Sequence, residues 1–204
     1  MASKARLSDL IYRDNSGAWT YTVPAPSVTE SAEAARALYL DVLERLAPAM
    51  EGFARLRNAS TYSPDQSHPL ELHATSEAQG HLGFAAIRSA VAAFPGRLTG
   101  LRIAFDLQAW VLPDEEMKLE EQWIDVGNVM HIDNTDENDG IDVTLMIESG
   151  VFAPWVSQLD NREAAEANRP RLEKVLRGLD AAFGVKRKSF GGLKEIGPRG
   201  YIWE

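Results

Sequence analysis

The chain has 204 residues, a formal net charge of −9, a pI near 5.0 and no cysteine. The absence of cysteine excludes disulfides, thiolate metal ligands and cysteine nucleophiles, and it fits a reducing compartment. The acidic balance disfavours nucleic acids and acidic membrane surfaces as partners, because phosphate binding needs a basic face. The sequence shows neither the apolar core of a signal peptide nor an apolar run long enough to cross a membrane, so we expect a cytoplasmic protein.

The N-terminal quarter predicts a short strand followed by an amphipathic helix. Residues 19–23 alternate large apolar with small polar side chains, which is the pattern of a strand. Ser27 and Glu30 have the spacing of a capping box, in which each side chain bonds a backbone amide at the helix start. The helix is expected to run to Pro48, and its apolar positions recur at helical spacing: Ala34, Leu38, Val42 and Leu46.

The segment that follows is less regular. Residues 50–58 suit either a further helical turn or a strand, and residues 59–69 are polar and predict a loop. Residues 76–94 predict a second helix, which Pro95 ends.

The C-terminal third predicts one helix and a terminal hairpin. Asp160 and Glu163 form another capping pattern, and a helix is predicted from about Pro170 to Gly184, where the glycine suits a C-cap. Residues 189–204 contain two glycine-rich turns and predict a short hairpin. The aromatic residues expected on one face of that hairpin are Tyr201 and Trp203.

Residues 98–148 carry the clearest pattern, because apolar and polar residues alternate through three successive runs. The runs cover residues 101–112, 123–133 and 141–148, with polar turns between them. Three alternating runs joined by turns predict an antiparallel β-meander. With helices on both sides of it in the sequence, the meander predicts a single α+β domain spanning residues 1–204.

The meander is also strongly acidic. Residues 106–148 hold 13 acidic side chains and one basic side chain, a local charge of −12 against −9 for the whole chain. Burial of the aliphatic side of each run is worth about 1.5–3 kcal/mol per large side chain, so the other side becomes the outer face of the sheet. That outer face is predicted to carry Asp106, Trp110, Trp123, Asp125, His131, Asp133, Asp142, Met146 and Glu148.

Tryptophans beside carboxylates are typical of a protein-binding surface, in which aromatic anchors lie inside a charged rim. The carboxylates would steer a basic partner and raise its association rate. The alternative is that the helices pack on this face and bury the two tryptophans as core. The predicted partner-binding residues are Trp110, Trp123, Asp125, His131, Asp133, Asp136, Glu137, Asp139 and Asp142.

The sequence contains no recognised metal, cofactor or catalytic motif. The acidic segment at residues 133–140 resembles a calcium loop, but anchoring it on Gly140 puts Thr135 and Met146 at the two end positions. Neither residue fits the carboxylate ligands that those positions need, so a hairpin tip is the better interpretation. No cofactor and no metal site is predicted.

The four histidines do not form a recognised zinc spacing. His131 lies in a predicted strand among carboxylates, and an acid–base pairing with Asp125 or Asp133 is the alternative to a simple surface histidine. An enzyme is therefore the less favoured class. The other histidines are His68, His73 and His81.

The N-terminal arrangement resembles the opening of some bacterial immunity proteins from polymorphic toxin systems. The resemblance consists of the aromatic strand at residues 19–23 and the following helix with its Ser-x-x-Glu-Ser-Ala-Glu-Ala-Ala-Arg sequence at residues 27–36. It covers about 30 residues of the chain. The resemblance implies an α+β fold and a cytoplasmic protein that neutralises one cognate toxin, in many cases a basic nuclease, by tight binding.

Three functions compete at this point. The first is a stoichiometric immunity or inhibitor protein that binds a basic toxin or effector through the acidic, tryptophan-bearing sheet. The second is an enzyme with a carboxylate or histidine site of unrecognised type. The third is a structural domain that associates with copies of itself through Tyr201 and Trp203. The sequence leaves the oligomeric state open.

Overall fold

The structure is a computed structural model, which describes residues 3–11, 17–25, 31–64, 70–73, 82–125, 127–135, 139–184, 187–191, 196–197 and 200–201. These residues form four α-helices: α1 (Leu7–Leu10), α2 (Ala32–Met50), α3 (Phe84–Ala93) and α4 (Arg162–Phe183). The longer strands are β1 (Gly17–Pro24), β2 (Ala54–Tyr62), β3 (Leu70–His73), β4 (Gly100–Val111), β5 (Glu120–Ile124), β6 (Val129–Asn134) and β7 (Gly140–Ile147). The shorter ones are β8 (Trp155–Val156), β9 (Leu159–Asp160), β10 (Arg187–Gly191), β11 (Ile196–Gly197) and β12 (Gly200–Tyr201).

One antiparallel sheet organises the molecule. Its strand order is β10-β1-β7-β6-β4-β2-β3, and β5 pairs with the second half of β4, beyond the end of β6. β4 is therefore central, with β2 along one edge and β6 and β5 in succession along the other. A sheet with helices segregated to one side of it confirms the predicted α+β class.

The helices cover the aliphatic face of this sheet. Tyr21 of β1 donates a hydrogen bond to the carbonyl of Leu176 in α4, and Tyr39 of α2 donates one to the side chain of Asn134 in β6. Both contacts lie on the face that carries the alternating aliphatic residues. The core residues contributed by β4 and β7 are Leu101, Ile103, Phe105, Leu107, Ala109, Val111, Ile141, Val143, Leu145 and Ile147.

Helix α2 is present, but its start and part of its buried face differ from the prediction: Val42 and Leu46 are fully buried, whereas Ala34 and Leu38 are half-buried. It begins at Ala32, and the Ser31 side chain accepts a hydrogen bond from the amide of Ala34. The predicted capping residues Ser27 and Glu30 lie outside the described residues.

The packing of α2 against α4 is close at one point. An added Cβ on Gly178 of α4 would lie 3.0 Å from the Cβ of Ala49 in α2. Because glycine has no side chain, it permits this approach of the two helices.

Two predictions between residues 50 and 94 were wrong in part. Residues 59–62 are not a loop but the end of β2, where Ala59 and Thr61 are fully buried between β4 and β3. Helix α3 begins at Phe84, later than expected, and the preceding residues 74–81 lie outside the described part of the chain. The polar composition of this strand end hid its pairing, which depends on residues distant in sequence.

Helix α4 begins two turns before the predicted start. Its first residue is Arg162, and Pro170 lies inside it rather than at its beginning. Tertiary packing explains the extension, because Ala165 and Asn168 are fully buried although their segment lacks the large apolar residues that mark a helix face.

The second run of the meander is two strands rather than one. Residue 124 pairs with residue 107 and residue 129 pairs with residue 104, so four residues on this side lie opposite two on β4. Gly127, within this bulge, has φ of 57°, a left-handed conformation that glycine adopts without strain.

The C-terminal strands extend the fold at its edge. β10 pairs antiparallel with β1, and β11 and β12 form the short hairpin that was expected. Trp203 lies outside the described residues, so its predicted position on that hairpin stays a prediction. Among the helices that the structure describes, none combines the length and apolar character needed to span a membrane.

Candidate functional site

No described helix covers the second face of the sheet, which we call the open face. A row of side chains at one level crosses five adjacent strands: Thr20, Thr144, His131, Arg102 and Ser60. Of these, Ser60 is buried and the other four are half-buried. The alternative in which helices bury Trp110 and Trp123 as core is not found among the described residues, where both side chains are half-buried.

The first group of charges on the open face is the histidine patch, defined as Arg102, His131, Asp133, Asp142 and Glu148. His131 of β6 lies directly opposite Arg102 of β4, and Asp133 lies directly opposite Asp142 of β7. The Nδ1 atom of His131 is 3.8 Å from a carboxylate oxygen of Asp133. The antiparallel register of three strands therefore brings together residues that lie up to 46 positions apart in the sequence.

Two further contacts hold the carboxylates of the histidine patch in place. The hydroxyl of Thr22 in β1 donates a hydrogen bond of 2.6 Å to Asp142. Asp133 lies over Gly100, its partner on β4, where an added Cβ would lie only 2.6 Å from the carboxylate. The glycine leaves the space that the Asp133 side chain occupies.

Burial and neighbouring charges shift two pKa values in the histidine patch. Burial lowers the pKa of His131, and Arg102 lowers it further, while Asp133 and Glu148 oppose the shift. Burial raises the pKa of Asp133, with His131 opposing this and the Asp142 carboxylate adding to it. His131 is therefore mostly neutral near pH 7, and the negative charge of the patch is poorly compensated.

The second group of charges is the arginine cluster, defined as Arg55, Arg57, Asp106, Trp123 and Asp125. The Nε atom of Arg57 lies 3.0 Å from Asp106, and the same guanidinium forms an ion pair with Asp125. The guanidinium of Arg55 lies 3.8 Å from the centre of the Trp123 ring, a cation–π contact. Burial raises the pKa of Asp106, and Arg57 opposes that shift.

Two bulges build the arginine cluster. The register of β2 against β4 shifts between Leu56 and Asn58, which leaves Arg57 as the extra residue. On the other side of β4, the bulge between β5 and β6 places Asp125 at the same level. Bulges bend a strand locally and redirect a side chain, which here brings Arg57 between two carboxylates from different elements.

Both tryptophans of the open face already interact with other parts of the protein. Trp110 and Trp123 are both half-buried on the open face, but the Arg55 guanidinium covers one face of Trp123. The side chain of Asn168 in α4 accepts a hydrogen bond from the Trp110 N–H and donates one to the Trp110 carbonyl. Their sequence positions alone did not reveal these intramolecular partners.

Of the remaining predicted residues, the structure describes Asp139, which directly precedes β7. Asp139 is exposed and accepts a hydrogen bond of 2.8 Å from the hydroxyl of Thr135. Asp136 and Glu137 lie outside the described residues, so their role in partner binding stays a prediction.

Sequence reasoning missed the arginines of the open face. Arg55 and Arg57 flank the buried Leu56 in β2, and Arg102 lies between the buried Leu101 and Ile103 in β4. The alternation around each of them was a signal of an outward position. Their pairing with acids from distant strands was not readable before the sheet order was known.

Two clefts in the described structure lie away from the open face. A cavity of about 300 Å³ is lined by Lys4, Asp160 and Glu163 near the start of α4, where these charges already form ion pairs. A second, mostly apolar cavity of about 460 Å³ is lined by Met50, Leu56 and other residues at the end of α2.

His131 lies on the open face and lines neither of these two clefts. Within the described residues, no group of three or more histidine or acidic side chains is arranged to hold a metal ion.

Comparison of the chain with protein-family models, with curated proteins and with solved structures finds no match.

Proposed function

We propose that this chain is an immunity or inhibitor protein, which neutralises a basic toxin or effector by binding it stoichiometrically through the open face. The observation that carries the proposal is the uneven charge on that face. The histidine patch has three carboxylates and one arginine, whereas the arginine cluster has two carboxylates and two arginines. With His131 neutral, the first group has a net charge of −2 and the second is balanced.

The dimensions of the open face suit a protein interface. Five strands from β1 to β2, about 4.8 Å apart and roughly 27 Å long, give an area on the order of 600 Å². A standard interface buries about 800 Å² on each partner. The sheet packs against the helices through a continuous core, so a partner would meet a pre-ordered surface with little ordering cost.

The charge distribution defines how a partner would approach. A net charge of −9 attracts a basic protein from a distance, and such steering raises association rates by about 10- to 1,000-fold at low salt. The basic side chains of the partner would then dock at the histidine patch. The acids of the arginine cluster are already paired within the protein, so they would attract the partner's basic side chains less than the histidine patch does.

The resemblance of residues 19–36 to bacterial immunity proteins supports the same class. In this chain the resembling strand is β1, which pairs with β7 and so borders the histidine patch. The proposed binding surface is therefore adjacent to the segment that carries the resemblance.

The test is affinity capture with the tagged protein from lysate of its own host cells, at low and at high salt. Wild type is compared with the double variant Asp133→Lys and Asp142→Lys. The matched control, Glu51→Lys with Glu166→Lys, changes the net charge equally at exposed positions on the helical side. We expect wild type and control to capture one basic protein at a one-to-one ratio, and the patch variant to lose it.

Thermal unfolding of all three proteins shows whether the loss reflects binding rather than misfolding. Co-expression of the captured protein with its toxicity as readout then tests neutralisation. Capture that survives the patch reversal, or that is insensitive to salt, would rule out the open face as the electrostatic docking surface.

A further inference from the structure

The Asp133–Asp142 pair belongs to the histidine patch, whose negative charge Arg102 offsets only in part. The two carboxylates occupy directly opposed positions on β6 and β7, where like charges destabilise a sheet. A cation placed over the pair relieves this repulsion. On the open face such a cation can come from a partner, because the space above the sheet is not covered by a described helix.

His131 is placed to compete for the same carboxylates. Its Nδ1 atom lies 3.8 Å from Asp133, and the other groups that face it are Arg102 from β4 and Thr144 and Glu148 from β7. When His131 gains a proton, the patch acquires an internal cation beside Asp133.

We propose that a lysine or arginine side chain of the basic partner docks over Asp133 and Asp142 in competition with the proton on His131, so that protonation of His131 weakens partner binding. This inference rests on the proposed function and specifies its contact and its regulation. Near neutral pH the patch is available to the partner. As the pH falls, His131 becomes charged and Asp133 begins to gain a proton, and both changes reduce the attraction for a cation.

Competition of this kind is reciprocal. If protonation of His131 weakens the binding of a cation, then the bound cation must lower the pKa of His131 by the same coupling. A cationic ligand bound elsewhere on the protein would leave the His131 titration unchanged. The titration of one side chain therefore reports where the cation is bound.

The experiment uses the full chain and a hexa-lysine peptide as the probe at low ionic strength. NMR follows the ring resonances of His131, assigned with the His131→Gln variant, through a pH titration with and without saturating peptide. Calorimetry measures the peptide affinity at about pH 7.5 and about pH 5.5, on either side of the ordinary histidine pKa. The compared proteins are wild type, His131→Gln and Asp142→Asn.

We expect the peptide to lower the pKa of His131 in wild type and to bind about three- to tenfold more weakly at the lower pH. His131→Gln should lose most of this pH dependence and keep only the part that comes from Asp133, and Asp142→Asn should bind more weakly at both pH values. If the peptide binds wild type but leaves the His131 titration unchanged, the competition is disproved while the proposed function stands. If the peptide does not bind wild type at either pH, the open face does not attract cations, and the proposed basic partner fails together with this inference.

Discussion

The side-chain amide of Asn168 in α4 forms hydrogen bonds with both backbone polar groups of Trp110 in β4. Its oxygen accepts from the Trp110 N–H at 2.7 Å, and its nitrogen donates to the Trp110 carbonyl at 2.8 Å and to the carbonyl of Val151 at 3.1 Å. The second half of β4 has no β2 residue beside it at this point, so the amide takes the place of a neighbouring strand. One helix residue thereby fixes the end of the central strand.

Asn168→Leu is expected to lower the free energy of unfolding by about 2–4 kcal/mol, because it leaves buried backbone groups of Trp110 and Val151 without partners. Urea unfolding monitored by tryptophan fluorescence measures the change. Lys174→Ala, at an exposed position of the same helix, is the control and should stay within about 0.5 kcal/mol of wild type. An equally small effect of Asn168→Leu would show that the edge of β4 does not need the amide.

Arg57→Gln is expected to destabilise the protein by about 1–2 kcal/mol at neutral pH, because it removes the cation beside the half-buried Asp106. Burial already raises the pKa of Asp106, and loss of Arg57 raises it further. The difference from wild type should therefore shrink as the pH falls and Asp106 becomes protonated. Urea midpoints from neutral to acidic pH measure it.

Asp125→Asn serves as the control for Arg57→Gln. The Asp125 side chain is 61% exposed, so its removal should cost less than about 0.5 kcal/mol. If Asp125→Asn costs as much as Arg57→Gln, the exposed ion pair of Arg57 with Asp125, and not the pair with Asp106, accounts for the loss of stability.

Gly127→Ala is expected to cost about 1–2 kcal/mol, because φ at this position is 57° and a left-handed backbone disfavours any side chain with a Cβ. A Cβ at residue 127 would also overlap the carboxylate of Glu148. Gly83→Ala is the control, because φ is −89° and there is open space around its Cβ. Only the preference of an N-cap for glycine over alanine is lost there, so it should cost less than Gly127→Ala.

Thermal unfolding of Gly127→Ala, alone and combined with Glu148→Ala, separates the two causes. Removal of the Glu148 side chain should recover the steric part and leave the conformational part. Full recovery in the double variant would contradict a cost that arises from the backbone angle.

Asp160 provides a prediction for acid unfolding. Hydrogen bonds from the side chain and backbone of Arg162 lower the pKa of Asp160 to about 2. A lowered pKa in the folded state stabilises the fold above the ordinary aspartate pKa, and this contribution is lost as the pH falls toward 2. Asp160→Asn should therefore be less stable than wild type at neutral pH, and the two should converge only as the pH approaches about 2. A stability difference that is constant across this range would contradict the assignment.

Local patterns predicted the strands of the meander and the helix α2, because burial of one face imposes a period of 2 or of 3.6 on the residues themselves. Leu101, Ile103 and Phe105 in β4, and Val42 and Leu46 in α2, are buried as that period requires. Where the period is weak, prediction failed. Thr61 at the end of β2 and Asn168 in α4 are fully buried although neither is apolar, because each forms hydrogen bonds with groups outside its own strand or helix.

The acidic block, and the outward position of its acids Asp106, Asp125, Asp133, Asp142 and Glu148, were determined by the sequence alone. Alternation assigns each side chain to a face of the sheet before any partner strand is known. The order of the strands was decided only by the tertiary structure, because pairing depends on contacts between segments far apart in the chain. That order places Arg57 between Asp106 and Asp125 and leaves Asp133 opposite Asp142. The acids of one block were thereby divided between the arginine cluster, where arginines neutralise them, and the histidine patch, where Arg102 offsets them only in part. The reason is that an ion pair depends on distance in space and not on position in the sequence.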